Sequence, residues 1–452
     1  MPSSTPARAL GLALALLGSV VILGACGPRL TLPDFGADRR DGSVNGGLDG
    51  SVDQGRREGV DLGPPPSALV ECEFGETVHG LATRGSSTAG LFDVINLGDG
   101  FVWVVLAERN GAEVRWLRLT TGDPESESFD SSFSVRSVAV TGGGVDTDPW
   151  ISAVESRDGR PTVVAGRPFS VDFEGLMNPA DTGTVDQGGL VDSVRTEDGQ
   201  LLFFTVQPRE GAPRPFRLLS LRATAFGLGQ DEAEPTTVAE DVGAFRARRS
   251  SRGGAWVTVV GDAGEDGFQL MRYAADGGRT FNATVAADRV SGAPAVATLG
   301  ADDDRLVVGF TELTAGVVPR VTVARLRLQG SSTADIERTA QLTPSGAARG
   351  TDIDLAPLES FQVAVYREFE EGDDTGRIRL MGLLNGAFDD EGEPLFGPLD
   401  VYASASTQGA PVRVTLNRNG SGWVIWADIE GTQSFLRARE LCCGEDNCEG
   451  AL

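Results

Sequence analysis

The sequence predicts an all-β fold arranged as a seven-bladed β-propeller, and three observations lead to that prediction. Glycine is abundant, with 60 of 452 residues, and no stretch after residue 25 has helical periodicity. Between about residues 90 and 443 one strand pattern recurs seven times. Four of the six tryptophans fall at one position of that repeat. Together these features favour many short strands joined by tight turns.

Each repeat has a short strand, a Gly/Asp turn, a strongly apolar strand, a polar turn and an alternating strand that contains arginine. The period of about 45–60 residues is typical of a four-stranded propeller blade rather than of a shorter solenoid unit. A single blade cannot bury both of its faces, so blades must stack, and a closed ring leaves no end blade exposed. Six or eight blades remain alternatives. The seven copies cover residues 93–119, 134–167, 193–223, 249–274, 300–328, 356–384 and 417–442.

The tryptophans predict where the blades pack. Those that open or lie within the apolar second strand are expected to fill the space between blades. A ligand-stacking ring is the alternative. These residues are Trp103, Trp150, Trp256 and Trp423, and a packing role is also expected for Trp116 and Trp426.

Arginines recur on the third strand, where alternation sends them to the more exposed face. We expect them to balance acidic residues and to cover apolar surface with their stems. A surface for an anionic ligand is the alternative. The series comprises Arg115, Arg217, Arg272, Arg325, Arg379 and Arg437.

The segment AADGGRTF follows the third strand of the fourth repeat and resembles the Asp-box of sialidase-type propellers. Asp276, Gly278, Thr280 and Phe281 match that motif, whereas Ala274 stands where the family has serine. The resemblance implies a turn between the third and fourth strands of a blade. Because the box is structural in that family, it implies no activity.

The N-terminus predicts export. Arg8 precedes an apolar run over residues 9–25, as in a signal peptide, and the run ends in Leu-Gly-Ala-Cys at residues 23–26. This ending resembles the lipobox of bacterial lipoproteins, which implies cleavage before Cys26 and acylation of that residue. An ordinary cleavable signal is the alternative. Gly27 is not the aspartate that resembles an inner-membrane retention signal, so we expect the outer membrane rather than the inner one, with the protein periplasmic or surface-exposed.

Residues 26–66 predict a disordered linker after the lipidated cysteine. They mix Gly, Asp, Arg and Pro with almost no aromatic content and cannot bury enough surface to fold. Such a chain spans roughly 35 Å root-mean-square. The folded part is therefore expected over residues 67–452.

Four further cysteines predict two disulfides in an exported chain. Ala68–His79 could supply the outer strand that the seventh repeat lacks, and a bridge from Cys72 to Cys442 or Cys443 would then close the ring. Cys448 would join whichever neighbour is left. A vicinal Cys442–Cys443 bridge would be strained. Zinc is the other alternative, which export disfavours.

Charge and composition exclude several functions. Acidic residues outnumber basic ones 65 to 39, which gives a formal charge of −26 and disfavours nucleic acid as a partner. All basic residues are arginine, so Schiff-base chemistry and a P-loop are excluded. His79, the sole histidine, lies in the presumed closure strand rather than in a repeat loop, which leaves no Ser-His-Asp or Cys-His arrangement with internal support and no histidine cluster for a metal. We expect no catalytic residues, no cofactor and no metal, and we interpret the acidic turns, such as residues 302–304, as solvated.

These observations lead to the hypothesis of a monomeric, lipid-anchored propeller that binds a protein or glycan partner at its axial mouth without catalysis. The alternative is a sialidase-like or other carbohydrate-processing propeller. It would need several arginines converging on a carboxylate, with a tyrosine or an acid pair beside the axis. The available tyrosines are Tyr273, Tyr366 and Tyr402.

Overall fold

A computed structural model describes most of the region expected to be folded, and its all-β class agrees with the prediction. Within the described residues 82% lie in strands and none lies in a helix. That part of the chain accordingly offers no helix able to cross a membrane. The described residues are 30–31, 72–81, 92–96, 102–108, 113–119, 125–130, 134–142, 149–157, 160–166, 174–177, 190–208, 216–223, 236–261, 266–299, 303–314, 318–344, 348–358, 361–370, 372–373, 375–384, 394–406, 411–417, 419–430 and 433–444.

Two strands precede the repeats, namely β1 (Leu30–Thr31) and β2 (Cys72–Leu81). The later strands are grouped below into units of four neighbouring strands. Unit 1 contains β3 (Phe92–Asn96), β4 (Val102–Glu108), β5 (Glu113–Leu119) and β6 (Glu125–Asp130). Unit 2 contains β7 (Ser134–Thr141), β8 (Trp150–Arg157), β9 (Arg160–Gly166) and β10 (Glu174–Met177). Unit 3 contains β11 (Val191–Arg195), β12 (Leu201–Pro208), β13 (Phe216–Ala223) and β14 (Thr236–Ala239).

Units 4 and 5 share one strand. Unit 4 contains β15 (Ala244–Arg249), β16 (Ala255–Val260), β17 (Asp266–Tyr273) and the first half of β18 (Arg279–Thr298). Unit 5 contains the second half of β18 with β19 (Arg305–Thr314), β20 (Val318–Gln329) and β21 (Thr333–Gln341). The halves of β18 pair with β17 and with β19, so the two units form one seven-stranded sheet.

The last two units complete the series. Unit 6 contains β22 (Ala348–Pro357), β23 (Phe361–Glu370), β24 (Thr375–Leu384) and β25 (Phe396–Ser406). Unit 7 contains β26 (Val412–Leu416), β27 (Ser421–Glu430) and β28 (Gln433–Cys443), and its fourth strand is β2. Neighbouring strands within every unit are antiparallel, which matches the hairpin order expected from the repeat.

The second strands are buried on both faces, which explains their near-continuous apolar sequence. AWVTVV in β16 is buried at every position. β-Branched and aromatic side chains suit a pleated strand covered on both sides. Glycine is required where β16 begins, since a Cβ on Gly254 would lie 1.9 Å from the Tyr273 carbonyl oxygen of β17.

Apolar clusters lie between successive units rather than within them. One contains side chains of units 1 and 2, others join units 3 and 4, 4 and 5, 5 and 6, and 6 and 7, and a further one joins unit 7 to unit 1. Trp103, Trp256 and Trp423 belong to these clusters, and Trp150 is also buried. The predicted packing role is therefore confirmed for Trp103, Trp256 and Trp423, and the burial of Trp150 is consistent with it. Trp116 and Trp426 are buried in clusters as well.

The first strands of the units lie side by side in chain order. β3 contacts β7, β7 contacts β11, β11 contacts β15, β15 contacts β18, β18 contacts β22, and β22 contacts β26. β26 in turn contacts β3. The last unit is therefore a neighbour of the first.

A strand from the N-terminal side completes unit 7, as the sequence predicts. β2 pairs antiparallel with β28, and Cys72 lies directly opposite Cys443 in the register. These two cysteines form a disulfide across 371 positions of the chain. Cys442 is disulfide-bonded too, whereas Cys448 lies outside the described residues. The zinc and vicinal-bridge alternatives are wrong for Cys72, Cys442 and Cys443.

The predicted signal peptide and Cys26 lie outside the described residues. Of the predicted linker, Leu30 and Thr31 are described, and they form β1, which pairs parallel with Val94 and Ile95 of β3. β1 also lies beside β15 and β26. The rest of residues 26–66 is outside the described part, so the linker stays a prediction.

Candidate functional site: a charged cluster on the first strands

Seven charged residues of the described first strands are buried; Arg195 ends β11, and the other six form what we call the first-strand cluster. Ionised side chains are rarely buried without partners because desolvation opposes their charge. Each of these six is 5% exposed or less. The cluster consists of Asp93, Asp192, Arg246, Arg248, Asp354 and Arg413.

The aspartates of the cluster connect each unit to the next one. In unit 1, Asp93 Oδ2 accepts a hydrogen bond from the Val140 backbone N–H of unit 2, at 2.8 Å. In unit 6, Asp354 Oδ2 accepts one from the Val414 N–H of unit 7, at 3.1 Å. Asp192 of unit 3 likewise accepts one from the Ala247 N–H of unit 4, and Ser137 Oγ of unit 2 accepts one from the Val191 N–H of unit 3, at 3.2 Å.

The arginines connect units that are not successive. Arg246 Nη1 of unit 4 lies 3.0 Å from Asp354 Oδ1 of unit 6, in an ion pair that is 6% and 1% exposed. Arg248 Nη2 also reaches unit 6, where it donates to the Leu355 carbonyl oxygen at 3.4 Å. Unit 5 has no charge on the corresponding segment, which begins Ala295-Val296-Ala297. The side chains of units 4 and 6 therefore meet past an uncharged first strand.

Arg413 brings unit 7 into the cluster. Its guanidinium carbon lies 6.0 Å from the centre of the Phe92 ring of unit 1, and its Nη1 donates to its own Val412 carbonyl oxygen at 2.6 Å. The charges that act on it come, in decreasing order, from Arg246, Asp354, Asp93 and Asp352. Arg413 is thus surrounded by groups from three other first strands.

A β-bulge in β22 sets the direction of Asp354. The pairing with β23 shifts between Thr351 and Asp354, and Asp352 has a left-handed backbone with φ of 53°. Aspartate tolerates this conformation better than most residues. Because one extra residue reverses which face the following side chains point to, the bulge determines that Asp354 meets Arg246.

Arg367 on β23 is a further buried arginine; it lies beside this bulge and is held by backbone groups. Arg367 Nη2 donates to the Ala427 carbonyl oxygen of unit 7 at 2.8 Å, and its Nε lies 4.0 Å from Asp352 Oδ2. Burial lowers the pKa of Arg367 and raises that of Asp352, in each case as the largest effect. This pair joins units 6 and 7 next to the first-strand cluster.

Burial shifts the ionisation of the cluster itself. It raises the pKa of Asp93 well above the usual range, and the Asp192 charge raises it further. It lowers the pKa of Arg413 to about 9, with repulsion from Arg246 as the second cause, and that of Arg248 to about 10. Desolvation is the largest cause in each case, so burial opposes the charged form of both the acidic and the basic members of the cluster.

The third-strand arginines have partners on neighbouring strands. Arg325 Nε lies 2.9 Å from Glu337, Arg379 Nη1 lies 2.6 Å from Asp400, and Arg437 Nε lies 3.2 Å from Asp428. Arg272 stacks on Trp256, with its guanidinium carbon 5.5 Å from the ring centre. These contacts agree with the expected balancing and covering roles. Arg115 on β5 is partly buried, and the side chain of Arg217 lies outside the described part of the structure.

The tyrosines and the histidine lie on strands other than the first strands. Tyr366 on β23 is buried and donates its hydroxyl to the Leu342 carbonyl oxygen at 3.2 Å; burial raises its pKa. Tyr273 ends β17, and Tyr402 on β25 stacks under Arg437. His79 on β2 packs edge-on against Trp423, with ring centres 5.4 Å apart. None of the described first strands contains a tyrosine or a histidine.

The segment that resembles an Asp-box forms the turn between β17 and β18, the third and fourth strands of unit 4. Asp276 Oδ1 accepts a hydrogen bond from the Gly278 N–H at 2.8 Å, and Gly277 has a φ of 83°. Phe281 is buried edge-on against Trp256. The turn thus positions an aromatic side chain in the core between units 4 and 5.

One of the acidic turns differs from its expected solvated state. Asp303 is fully buried and accepts hydrogen bonds from Ser250 and from the Ser251 backbone at 3.1 Å, so it connects unit 5 to unit 4. Its neighbour Asp304 is exposed and pairs with Arg252. The described part of the chain holds no group of three His, Cys, Asp or Glu side chains suited to a metal ion.

Sequence reasoning did not single out the first-strand cluster. Its signal is a charged residue inside an otherwise apolar first strand, as in FDVIN, VDSVR and VRVTL. A charged residue repeated at that place in several units indicates that its neighbours lie in other repeats, since each strand has no partner for it locally.

No protein-family model and no curated protein matches this chain. Solved structures similar to it include a protein of unknown function from Dyadobacter fermentans DSM 18053, with 13% identity, a TM-score of 0.46, and coverage of 81% of this chain and 99% of that one. The polysaccharide lyase Uly1 is similar at 11% identity and a TM-score of 0.44, covering 80% and 92%. Hydrazine synthase from Kuenenia stuttgartiensis is similar at 12% identity and a TM-score of 0.46, covering 78% and 96%.

Proposed function

We propose that the protein is an exported lipoprotein whose seven units form a closed seven-bladed β-propeller and serve as a non-catalytic binding module at the cell envelope. The observation that carries the architecture is the order of the first strands, in which β26 of unit 7 returns to β3 of unit 1. The cluster shared by units 7 and 1 and the Cys72–Cys443 disulfide support closure. An experimental structure with two separate cores would contradict it.

The contacts that the buried charged groups make support the binding role. In propellers, ligands and partners usually meet the loops at the axial mouth. The buried aspartates each hold a backbone N–H of another unit, and so serve the framework rather than proton transfer. His79 and the tyrosines lie outside the first strands. The carbohydrate-processing alternative retains two favourable features, the arginines that meet carboxylates in the first-strand cluster and the interacting acids Asp93 and Asp192, although none of the described first strands contains a tyrosine.

The anchor is tested by fatty-acid labelling of the full-length protein expressed in a bacterial host. We expect the wild type to incorporate label and to sediment with membranes, and Cys26→Ser to do neither. Cys72→Ser, which removes a cysteine from the folded part, is the matched control and should keep the label. Label that persists in Cys26→Ser would contradict the proposed lipidation.

The binding role is tested with the intact lipoprotein in detergent. It is crosslinked and recovered from its own envelope, and in parallel applied to a glycan array. A partner that co-purifies in a fixed ratio supports the module; selective glycan binding followed by glycan cleavage would instead support the carbohydrate-processing alternative. Absence of both protein and glycan binding would overturn the proposed role.

A further inference from the structure

The strand β1 lies between first strands from opposite sides of the series of units. It pairs in parallel with β3 in unit 1, where the strand order is β1-β3-β4-β5-β6. It also lies beside β26 of unit 7 and β15 of unit 4. Units 7 and 1 are neighbours, whereas unit 4 is the unit farthest from both of them along the series. A segment that contacts all three first strands therefore lies at the axis of the proposed propeller.

The direction of β1 shows at which end the chain enters the axis. Leu30 pairs with Val94 and Thr31 with Ile95, so β1 runs from the end at which β3 begins towards the end at which β3 finishes. Repeated antiparallel units in a closed ring present their first strands in one common direction. The N-terminal segment thus enters where the first strands begin, which we call the entry end, and the opposite end is the exit end.

The position of β2 agrees with this path. Cys72, the first residue of β2, lies opposite Cys443, the last residue of β28. Both β26 and β28 pair antiparallel with β27, so β28 runs in the direction of the first strands and finishes at the exit end. β1 therefore brings the chain to the end at which β2 starts, and residues 32–71 need not return along the axis.

The chain between β1 and the predicted lipidation site is short. Four residue steps separate Cys26 from Leu30. Because an extended chain covers at most about 3.6 Å per residue, the two Cα atoms lie within about 14 Å of each other. A free linker over residues 26–66 would instead span roughly 35 Å. An N-terminal segment held at the axis therefore keeps the entry end close to the lipid that anchors Cys26.

We propose that the N-terminal segment passes along the axis with β1 as an additional innermost strand, so that the entry end of the propeller faces the membrane. The axial mouth at that end is then occupied by the chain itself. The exit end faces away from the lipid and is the side that a partner can reach. This inference rests on the proposed closed propeller and lipid anchor, and it assigns one surface of the binding module to the lipid and the other to a partner.

The first test locates β1 in the full-length protein in detergent. A diazirine amino acid replaces Leu30 or Thr31, and crosslinked peptides are identified by mass spectrometry after irradiation. We expect crosslinks to the first strands of units 1, 4 and 7. The same amino acid at Val52, in the rest of the predicted linker, is the matched control and should show no preference for these three strands. Crosslinks from residues 30 and 31 without that preference would overturn the inference.

The second test determines which end meets the lipid. The lipoprotein is reconstituted in phosphatidylcholine vesicles that contain headgroup-labelled quencher lipids, and it carries a fluorophore on Asp373→Cys or on Arg252→Cys. Both residues are exposed. Asp373 lies between a second and a third strand, at the entry end, and Arg252 lies between a first and a second strand, at the exit end. We expect loss of fluorescence at Asp373→Cys only; equal loss at both positions would overturn the inference.

A variant of β1 connects the two tests. Leu30→Pro combined with Thr31→Pro removes both backbone N–H donors of β1 and should free the segment from β3. We expect the difference in quenching between the two labelled positions to disappear in this variant. Ser51→Pro combined with Val52→Pro, farther along the predicted linker, is the matched control and should keep the difference. A difference that persists in the β1 variant would contradict the proposed path.

Failure of this inference is distinguishable from failure of the proposed function. Fatty-acid label on Cys26, together with crosslinks from residues 30 and 31 that avoid units 1, 4 and 7, would leave the anchored module standing and refute the axial path. Crosslinks to units 1, 4 and 7 without label on Cys26 would support the axial path and refute the proposed anchor.

Discussion

Two ion pairs in this protein have almost the same geometry and opposite surroundings. Arg246 and Asp354 of the first-strand cluster lie 3.0 Å apart and are 6% and 1% exposed. Arg252 and Asp304 at the surface lie 3.2 Å apart and are 51% and 68% exposed. Water screens the second pair and solvates each partner when the other is removed, whereas the first pair has only its protein neighbours. The two pairs, although built from the same residue types, should therefore differ strongly in what the loss of one partner costs in the free energy of unfolding.

The largest expected effect is the loss of one partner of the buried pair. Asp354→Ala leaves the Arg246 charge buried without its carboxylate and removes the acceptor of the Val414 N–H. We expect a loss of about 3–5 kcal/mol in the free energy of unfolding, measured by denaturant titration. Asp304→Ala serves as the control. Equal losses of stability in Asp354→Ala and Asp304→Ala would show that burial does not distinguish the two ion pairs.

Removing both buried charges separates the cost of an unpaired charge from the net value of the pair. Arg246→Met combined with Asp354→Leu keeps side-chain volume without burying an ion. We expect this double variant to recover much of the stability lost in Asp354→Ala, since apolar replacements of buried pairs are often neutral or stabilising by about 1–4 kcal/mol. A double variant less stable than Asp354→Ala would show that the pair itself contributes most of the effect.

The pH dependence of Asp93 sharpens the comparison further. Burial and the Asp192 charge raise the pKa of Asp93 in the folded protein. Asp93 therefore contributes fully to the free energy of unfolding below its unfolded pKa, and this contribution is lost as pH rises through the folded pKa. We expect the wild type to lose stability relative to Asp93→Asn as pH rises from about 4 towards 8, in unfolding experiments at several pH values. An unchanging difference would mean that Asp93 is ionised in the folded protein.

A neutral contact between units should have a smaller effect. Ser137→Ala removes the hydroxyl that accepts the Val191 N–H and leaves that buried donor unfilled. We expect a loss of about 1–3 kcal/mol in the free energy of unfolding. Thr339→Ala, on the exposed strand β21, is a control that should change stability by less than about 0.5 kcal/mol. A similar loss in the control would show that this contact between units contributes no more to the free energy of unfolding than an exposed side chain does.

The smallest expected effect belongs to the surface pair. Arg252→Ala should cost about 0–1 kcal/mol, and less at high salt, because both side chains are solvated. Denaturant titration at low and high ionic strength measures it. A loss that approaches that of Asp354→Ala would show that exposure does not separate the two pairs.

Local patterns along the chain were sufficient to predict the strands, the packing tryptophans and the strand that completes unit 7. Period-two alternation and the apolar second strand are properties of a few neighbouring residues, and each recurs in every unit. The even number of cysteines predicted disulfides but left their pairing open, since connectivity depends on which strands meet. The pairing of β2 with β28 places Cys72 opposite Cys443, and this register decided which cysteine bonds to Cys72.

The sequence by itself determined that this chain is all-β, repeats a strand pattern and carries cysteines and a strand able to join its two ends. Only the tertiary structure decided that Asp93, Asp354 and Arg413 are buried, that Asp354 meets Arg246, and that a bulge at Asp352 directs Asp354. The physical reason is that hydrophobic alternation is local, whereas the desolvation and pairing of a charge depend on strands from several repeats.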